Sequence, residues 1–255
     1  MTGPRDIFYI IAPFGVLLFI WQATVILELV DTTLLPSPIE LIKTFTRLTE
    51  NNLILRHIGY SFYRLSIGLS LGMVMGIIMG IMIGSNLFVR QLLSPLFSIL
   101  ITIPTIALVP ILLITLGIGN STVIISIFLA SFFPVTYGTI AGVRGIDKRY
   151  IQAAMMAGAN RSKIFKNILI PGSLMSLIPG LRLAIGYSWA TLVGSEMLAT
   201  NDWGLGFMIY AARTFFAVDV MFLGLSLIAI LGLLMDRVIV SIIEKRTIRK
   251  WGYDG

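Results

Sequence analysis

From Gln91 to Val143 the chain carries no Asp, Glu, Lys or Arg. A helix rising 1.5 Å per residue crosses a hydrocarbon layer of about 30 Å in roughly 20 residues, so this run is length for two crossings. The turn Gly117-Ile-Gly-Asn-Ser121 divides it. With 57% hydrophobic residues, 12% charged residues and a mean hydropathy of +0.95 across the chain, a water-soluble fold is excluded. The reading is an all-α, polytopic membrane protein.

Further apolar stretches place spans near residues 7–30, 61–84, 92–117, 121–143, 173–198 and 218–242. The 255 residues leave little for a separate soluble unit, so one membrane domain over 1–255 is expected. Arg5 precedes an apolar run with no small-residue cleavage site, which reads as a retained first span rather than a signal peptide. There is no cysteine and one histidine, His57, which excludes disulfides, thiolate metal sites and multi-histidine sites. His57 reads as a surface residue of an outer loop.

Cation placement sets the orientation. With the loop between spans four and five in the cytoplasm, both termini are inside, and most Lys and Arg residues fall there, including Arg144, Lys148, Arg149, Arg161, Lys163 and Lys166. The net charge of +7 is then topogenic and gives no reason to invoke nucleic acid. On the outer side Leu35-Pro-Ser-Pro38 breaks the chain, and Ile39–Leu48 has the pattern of a short interfacial helix.

Two spans carry marks of their own. Gly68, Gly72, Gly76, Gly80 and Gly84 recur every fourth residue of span two and predict a face pressed closely against another helix. In span three, Pro104 and Pro110 each remove a backbone donor, which predicts a kinked or broken helix inside the assembly and makes both pathway candidates. Glu196, an acid near the outer end of span five, needs a partner; it reads as an anchor for the loop Asp202-Trp-Gly-Leu-Gly206, with a gate as the other role. Arg182 reads as an interfacial anchor, or as an anion contact, and Asp236 with Arg237 as paired to other spans.

The cytoplasmic loop is polar and cationic. Asp147 is placed to start a helix in which Ile151, Ala154, Met155 and Gly158 recur at helical spacing, Gly158 suits a left-handed terminus, and Asn160 is placed to cap a second helix. Gln152-Ala153-Ala154, then Gly158, then Ile168-Leu-Ile-Pro171 resembles the EAA loop of membrane subunits of bacterial ATP-binding cassette (ABC) importers. Leu35-Pro-Ser-Pro38, Ser61 with Arg64, Ile103-Pro through Pro110, Gly180-Leu-Arg-Leu-Ala184, Trp189 through Glu196-Met197, Gly204-Leu-Gly206 and the closing Trp251 resemble its nitrate, sulfonate, taurine and bicarbonate branch. Two positions depart: Gln152 stands for the family's glutamate and Ile170 for its leucine.

The resemblance implies a type I importer fold of about six transmembrane helices, with a permease core near 57–243 and a coupling loop at 144–171. It implies that Gln152, Ala153, Ala154, Gly158, Ala159 and Arg161 contact a separate ATPase, which holds ATP and Mg; this chain binds no cofactor. The partners implied are that ATPase, a second and identical permease copy, an extracytoplasmic substrate-binding protein and the lipid of a bacterial inner membrane. No Gly-x-x-x-x-Gly-Lys-Ser/Thr segment is present, in keeping with an energy source on another chain. A gradient-driven transporter or channel is the alternative, for which Glu196 and Asp236 are the only intramembrane acids on offer.

Overall fold

The computed structural model describes the backbone of residues 4–247 and, within it, the side chains of 12–13, 15–147, 149–160, 162–172 and 177–237. Trp251 and the side chain of Arg161 therefore lie outside the described residues. The described chain is helical, in the order α1 (Pro4–Ile26), α2 (Pro38–Glu50), α3 (Leu53–Ser85), α4 (Leu87–Leu100), α5 (Val109–Leu116), α6 (Asn120–Gly145), α7 (Lys148–Met156), α8 (Arg161–Ile164), α9 (Ile170–Ala199), α10 (Leu205–Thr214) and α11 (Val218–Thr247). Among the described residues, α3, α6 and α11 are long and apolar enough to cross a bilayer singly, and two bent pairs bring the number to five. The first span is shorter than its apolar run, ending at Ile26 before Glu28 turns the chain with φ +53°.

Helices α3, α6 and α9 form the centre. The glycine stripe of α3 meets a matching stripe on α6, with Gly68 against Ile127, Gly72 against Ser131, Gly76 against Val135, Gly80 against Thr139 and Gly84 against Val143. Both series rise together, so α3 and α6 run parallel. The crossing between them therefore belongs to the α4–α5 segment. A Cβ at Gly72 would lie 1.8 Å from Ser131 Oγ and 2.8 Å from the Phe128 carbonyl, so backbone meets backbone there. The hydroxyls on α6 enter this dry seam already satisfied: Ser131 donates to the Ile127 carbonyl at 3.1 Å and Thr139 to that of Val135 at 2.8 Å. On the other side of α6, Gly180 of α9 approaches the Pro134 carbonyl and Gly138.

The third span breaks as its prolines predict. The pair of segments Leu87–Leu100 and Thr105–Leu116 is bent by 87°. Pro104 sits at φ −58°, ψ 122° ahead of a short 3-10 turn over Thr105–Leu108, and Pro110 occupies the first turn of α5, where its missing N–H costs nothing. Ile106 in that turn lies against α9 at Gly194.

Outside the bundle, α2 begins with a capping box: Glu40 N donates to Ser37 Oγ at 3.2 Å and Ser37 N to Glu40 Oε2 at 2.8 Å. Thr44 and Arg47 clamp it to the start of α11 through Asp219, at 2.7 and 3.0 Å. The helix α10 is absent from the span pattern; its Leu205, Met208, Ile209 and Ala212 are buried, and Met208 and Ile209 lie against α11 at Gly224.

Gly72→Ala is expected to lower the thermal midpoint of the detergent-solubilised protein, at an overpacking cost of about 1–3 kcal/mol. Gly59→Ala, at a helical glycine with open space around it, is expected to be neutral or stabilising by up to about 1 kcal/mol. Equal melting of the two variants would show that the glycine seam does not set the α3–α6 spacing.

Candidate functional sites at the two ends of the bundle

The parallel course of α3 and α6 puts two polar assemblies at opposite ends. One is the loop 144–171 after α6. The other gathers the starts of α3 and α6, the end of α9 and the start of α10. The 26 residues of α6 separate them by about 40 Å.

In the loop, Asp147 caps α7 by accepting from Arg149 N at 2.9 Å. The helix closes in a Schellman motif: Ala159 N donates to the Ala154 carbonyl at 2.9 Å and Gly158 N to that of Met155 at 3.0 Å, with Gly158 at φ +76°. A Cβ at Gly158 would meet nothing within 4 Å, so glycine is required by its backbone angle and not by crowding. Asn160 Oδ1 accepts from Lys163 N at 2.9 Å and starts α8. After one turn α8 widens into a π-helical turn over Phe165–Leu169, in which Ile170 N donates to the Phe165 carbonyl. This accommodates Pro171, which has no donor to give, and α8 runs into α9 without a linker.

Ile151 and Ala154 are half-buried and Ile164 is buried, so these residues seat the loop on itself. Met155, which shares their helical spacing, is 57% exposed. Outward lie Gln152, Ala153, Gly158 and Met156, the last 85% exposed, while Ala159 is half-buried. The outward surface is therefore small and apolar, with Arg149 and Lys163 exposed around it.

At the other end Arg64 and Glu196, both fully buried, form an ion pair of 2.9 Å. Arg64 also donates to Asn120 Oδ1 at 2.7 Å, to the Trp203 carbonyl, to Thr200 Oγ1 at 3.3 Å and to Asp202 at 3.0 Å. Glu196 accepts from Ser61 Oγ at 2.9 Å and from Gly206 N at 3.0 Å. Ser61 Oγ in turn accepts from Leu205 N at 2.9 Å. One guanidinium and one carboxylate thus hold α3, α6, α9 and the α9–α10 loop together. The loop can come this close because it is glycine: a Cβ at Gly204, which has φ +145°, would lie 2.5 Å from Glu196 Cδ, and one at Gly206 would lie 2.3 Å from the Val193 carbonyl. Burial of Asp202 works against its charge, but hydrogen bonds from Thr200 and Trp203 and the charge of Arg64 prevail and hold its carboxyl below the usual range.

His57 belongs to this knot and not to a loose outer loop. Helix α3 starts at Leu53, well before the apolar run, and its second turn brings the half-buried ring to Gly204, with Nδ1 2.8 Å from the Gly204 carbonyl and 3.1 Å from Gly204 N. Glu196 is the anchor of the Asp202–Gly206 loop. Its partners Ser61 and Arg64 entered the sequence reading only through the family resemblance, and His57, which binds the loop at Gly204, did not enter it as part of this group. Yet 57, 61 and 64 share one face of a helix, and an arginine in an apolar segment demands an acid. Arg182 is 58% exposed and pairs with Asp236 of α11 at 3.2 Å, so α9 and α11 are linked far from Glu196. Pro104 and Pro110 are exposed at the bend of the third span and touch neither cluster.

Residues 72–249 match the family described as binding-protein-dependent transport system inner membrane component. The taurine transport system permease of Escherichia coli (strain K12) is 32% identical over 237 residues, which is 91% of this chain and 86% of that protein. A putative aliphatic sulfonates transport permease of Bacillus subtilis (strain 168) is 31% identical over 243 residues, 94% of this chain and 87% of the relative. The nitrate import permease of Synechocystis is 33% identical over 235 residues, 88% and 84% of the two chains. Among solved structures, the MetNI methionine ABC transporter in an inward-facing conformation matches with a TM-score of 0.63 at 20% identity, over 75% of this chain and 96% of the other. That likeness is one of fold.

Arg64→Ala and Glu196→Ala are each expected to cost about 3–5 kcal/mol, because each strands a buried charge. The double variant is expected to cost less than the sum of the two. Additive losses in thermal unfolding of the solubilised protein would show that the pair is not coupled.

Proposed function

The chain belongs to the inner membrane components of binding-protein-dependent transport systems, and from that premise we propose how it works and what it carries. As an ABC importer permease it forms the membrane path for a small solute. Its loop at 144–171 is the coupling element, received by a separate ATPase that binds ATP and Mg and hydrolyses the nucleotide. The observation that carries this reading is the outward surface of α7: Gln152, Ala153 and Met156 stand exposed on a helix fixed at both ends, and its small residues let a partner approach closely. A loop continuous with α9 moves a span when it is pushed.

Two identical copies make the path, with the loops and both termini in the cytoplasm. The distribution of cations supports that orientation. The opposite end, with Arg64 and Glu196, faces outward, where an extracytoplasmic binding protein delivers the solute. The substrate is a small anion of the sulfonate, taurine or nitrate type, since permeases named for these solutes align over nearly the whole chain. The alternating-access cycle is driven by closure of the ATPases rather than by an ion gradient.

The test is purification of the chain from native membranes together with its partners, followed by transport in proteoliposomes. An ATPase subunit recovered in equal amount, with uptake that requires ATP, is the expected result; a chain that moves solute alone would overturn the reading. Gly158→Glu is expected to insert normally and to abolish uptake, whereas Gly158→Asn, which tolerates the left-handed angle, is expected to retain much of it. Gln152→Ala is expected to be milder than Gly158→Glu, because position 152 carries no charge to lose. Normal substrate-stimulated hydrolysis by the Gly158→Glu complex would remove the loop from the coupling path.

A further inference from the structure

Helix α3 is 33 residues long, about 50 Å, against a hydrocarbon thickness of about 30 Å. Its seam with α6 begins at Gly68; before it, the first turns of α3 pack Ile54 against Leu41 and Leu223 on one side and leave Arg56 and Tyr60 exposed on the other, with His57 half-buried between. There the side chains form a ladder. The Arg56 guanidinium lies 5.3 Å from the centroid of the Trp203 ring. Trp203 and Tyr60 lie 6.5 Å apart and tilted by 33°, and His57 meets the Trp203 ring edge-on at 5.0 Å. The Tyr60 ring covers Arg64 at 5.6 Å, and Arg64 is bound to Glu196. Cation, ring, ring and cation thus connect an exposed charge to the buried carboxylate that holds the α9–α10 loop.

Charge is unbalanced at the top of the ladder. Asp202, the nearby exposed acid, is engaged by Arg64 at 3.0 Å and by Thr200. Arg56 has no ion pair among the described residues. Arginine, tyrosine and tryptophan on a rigid support are the composition of protein interface hot spots, and stacking on an indole orients a guanidinium without neutralising it. We infer that the outer end of α3 with the Asp202–Trp203 turn is the seat of the extracytoplasmic binding protein, Arg56 taking a carboxylate on its surface while Trp203 and Tyr60 form the apolar floor. This rests on the importer reading above, whose family description requires such a protein. A lipid headgroup would also meet the charge of Arg56. It would have no use for the mechanical link from Trp203 through Arg64 to α9 and α10, which a docked protein needs if its arrival is to be felt inside the bundle.

The test uses the permease–ATPase complex in nanodiscs of neutral phosphatidylcholine, with the fluorescently labelled binding protein recovered in the co-purification as probe. Arg56→Glu is expected to weaken its affinity by about tenfold or more and to abolish stimulated hydrolysis, the deficit shrinking as salt rises. Arg56→Lys is expected to fall between the two, since an ammonium lacks the planar fork. Arg56 is exposed, so unchanged melting of both variants is the expected control. Unaltered affinity of Arg56→Glu overturns the inference, as does a loss seen only in anionic lipid. If the unsubstituted complex does not respond to the binding protein at all, the importer reading falls and the inference with it.

Discussion

The close approach of α3 and α6 is the interaction on which the rest of the structure depends. Lipid offers no hydrophobic drive for one apolar helix to leave tails for another, so association must come from contact between atoms and from hydrogen bonds. Five glycines on α3 let backbone reach backbone along a whole crossing, and the residues they receive on α6 alternate branched aliphatics with hydroxyls that bond within their own helix. Glycine costs helix propensity, up to about 1 kcal/mol each against alanine. The seam recovers that cost in dispersion contacts. It also fixes the parallel direction of the two helices, and with it the placement of the Arg64 knot at one end and the cationic loop at the other.

Much of this was legible in the chain because membrane segments obey few rules. The charge-free run, the four-residue glycine period and the two prolines of the third span announced two crossings, a close contact and a break. The structure contains all three. Asp147, Gly158 and Asn160 marked helix ends by chemistry that acts within a few residues. What could not be read was tertiary. Nothing local joins Arg64 to Glu196, because their meeting depends on how α3 and α9 pack through α6 and on two glycines that let the loop fold back. The helix α10 escaped because its ten residues are too short for a span and its apolar side is covered only by tertiary packing, as where Met208 and Ile209 meet α11 at Gly224. His57 was misplaced for a related reason: the apolar run begins at Ser61, but the helix begins at Leu53, and its polar first turns belong to the bundle.

The two polar assemblies differ in the way each uses burial. At the knot, full burial makes the ion pair expensive to form alone and costly to break, and its hydrogen bonds with the surrounding segments offset the desolvation. Such a joint is rigid and specific. At the loop, the contacts are caps and a Schellman turn, and the outward face is left bare and small. The knot is closed upon itself beneath the exposed Arg56 and Tyr60; the loop carries its open face on its own helix.

The turn at Phe165–Leu169 ties the loop to α9 without any length of irregular chain between them. Here the backbone stays helical from Arg161 through the widened turn to Ala199, bending by 63° between Ser162–Gly172 and Leu177–Ala199, from beside the capped loop to the residues around Glu196. A push at its foot reaches its head through helix alone, by way of that bend. The widened turn, where a hydrogen bond spans five residues instead of four, and the bend that follows it are where this path departs from a straight helix. Both lie near its foot, which leaves Leu177–Ala199 to carry a motion up to Glu196.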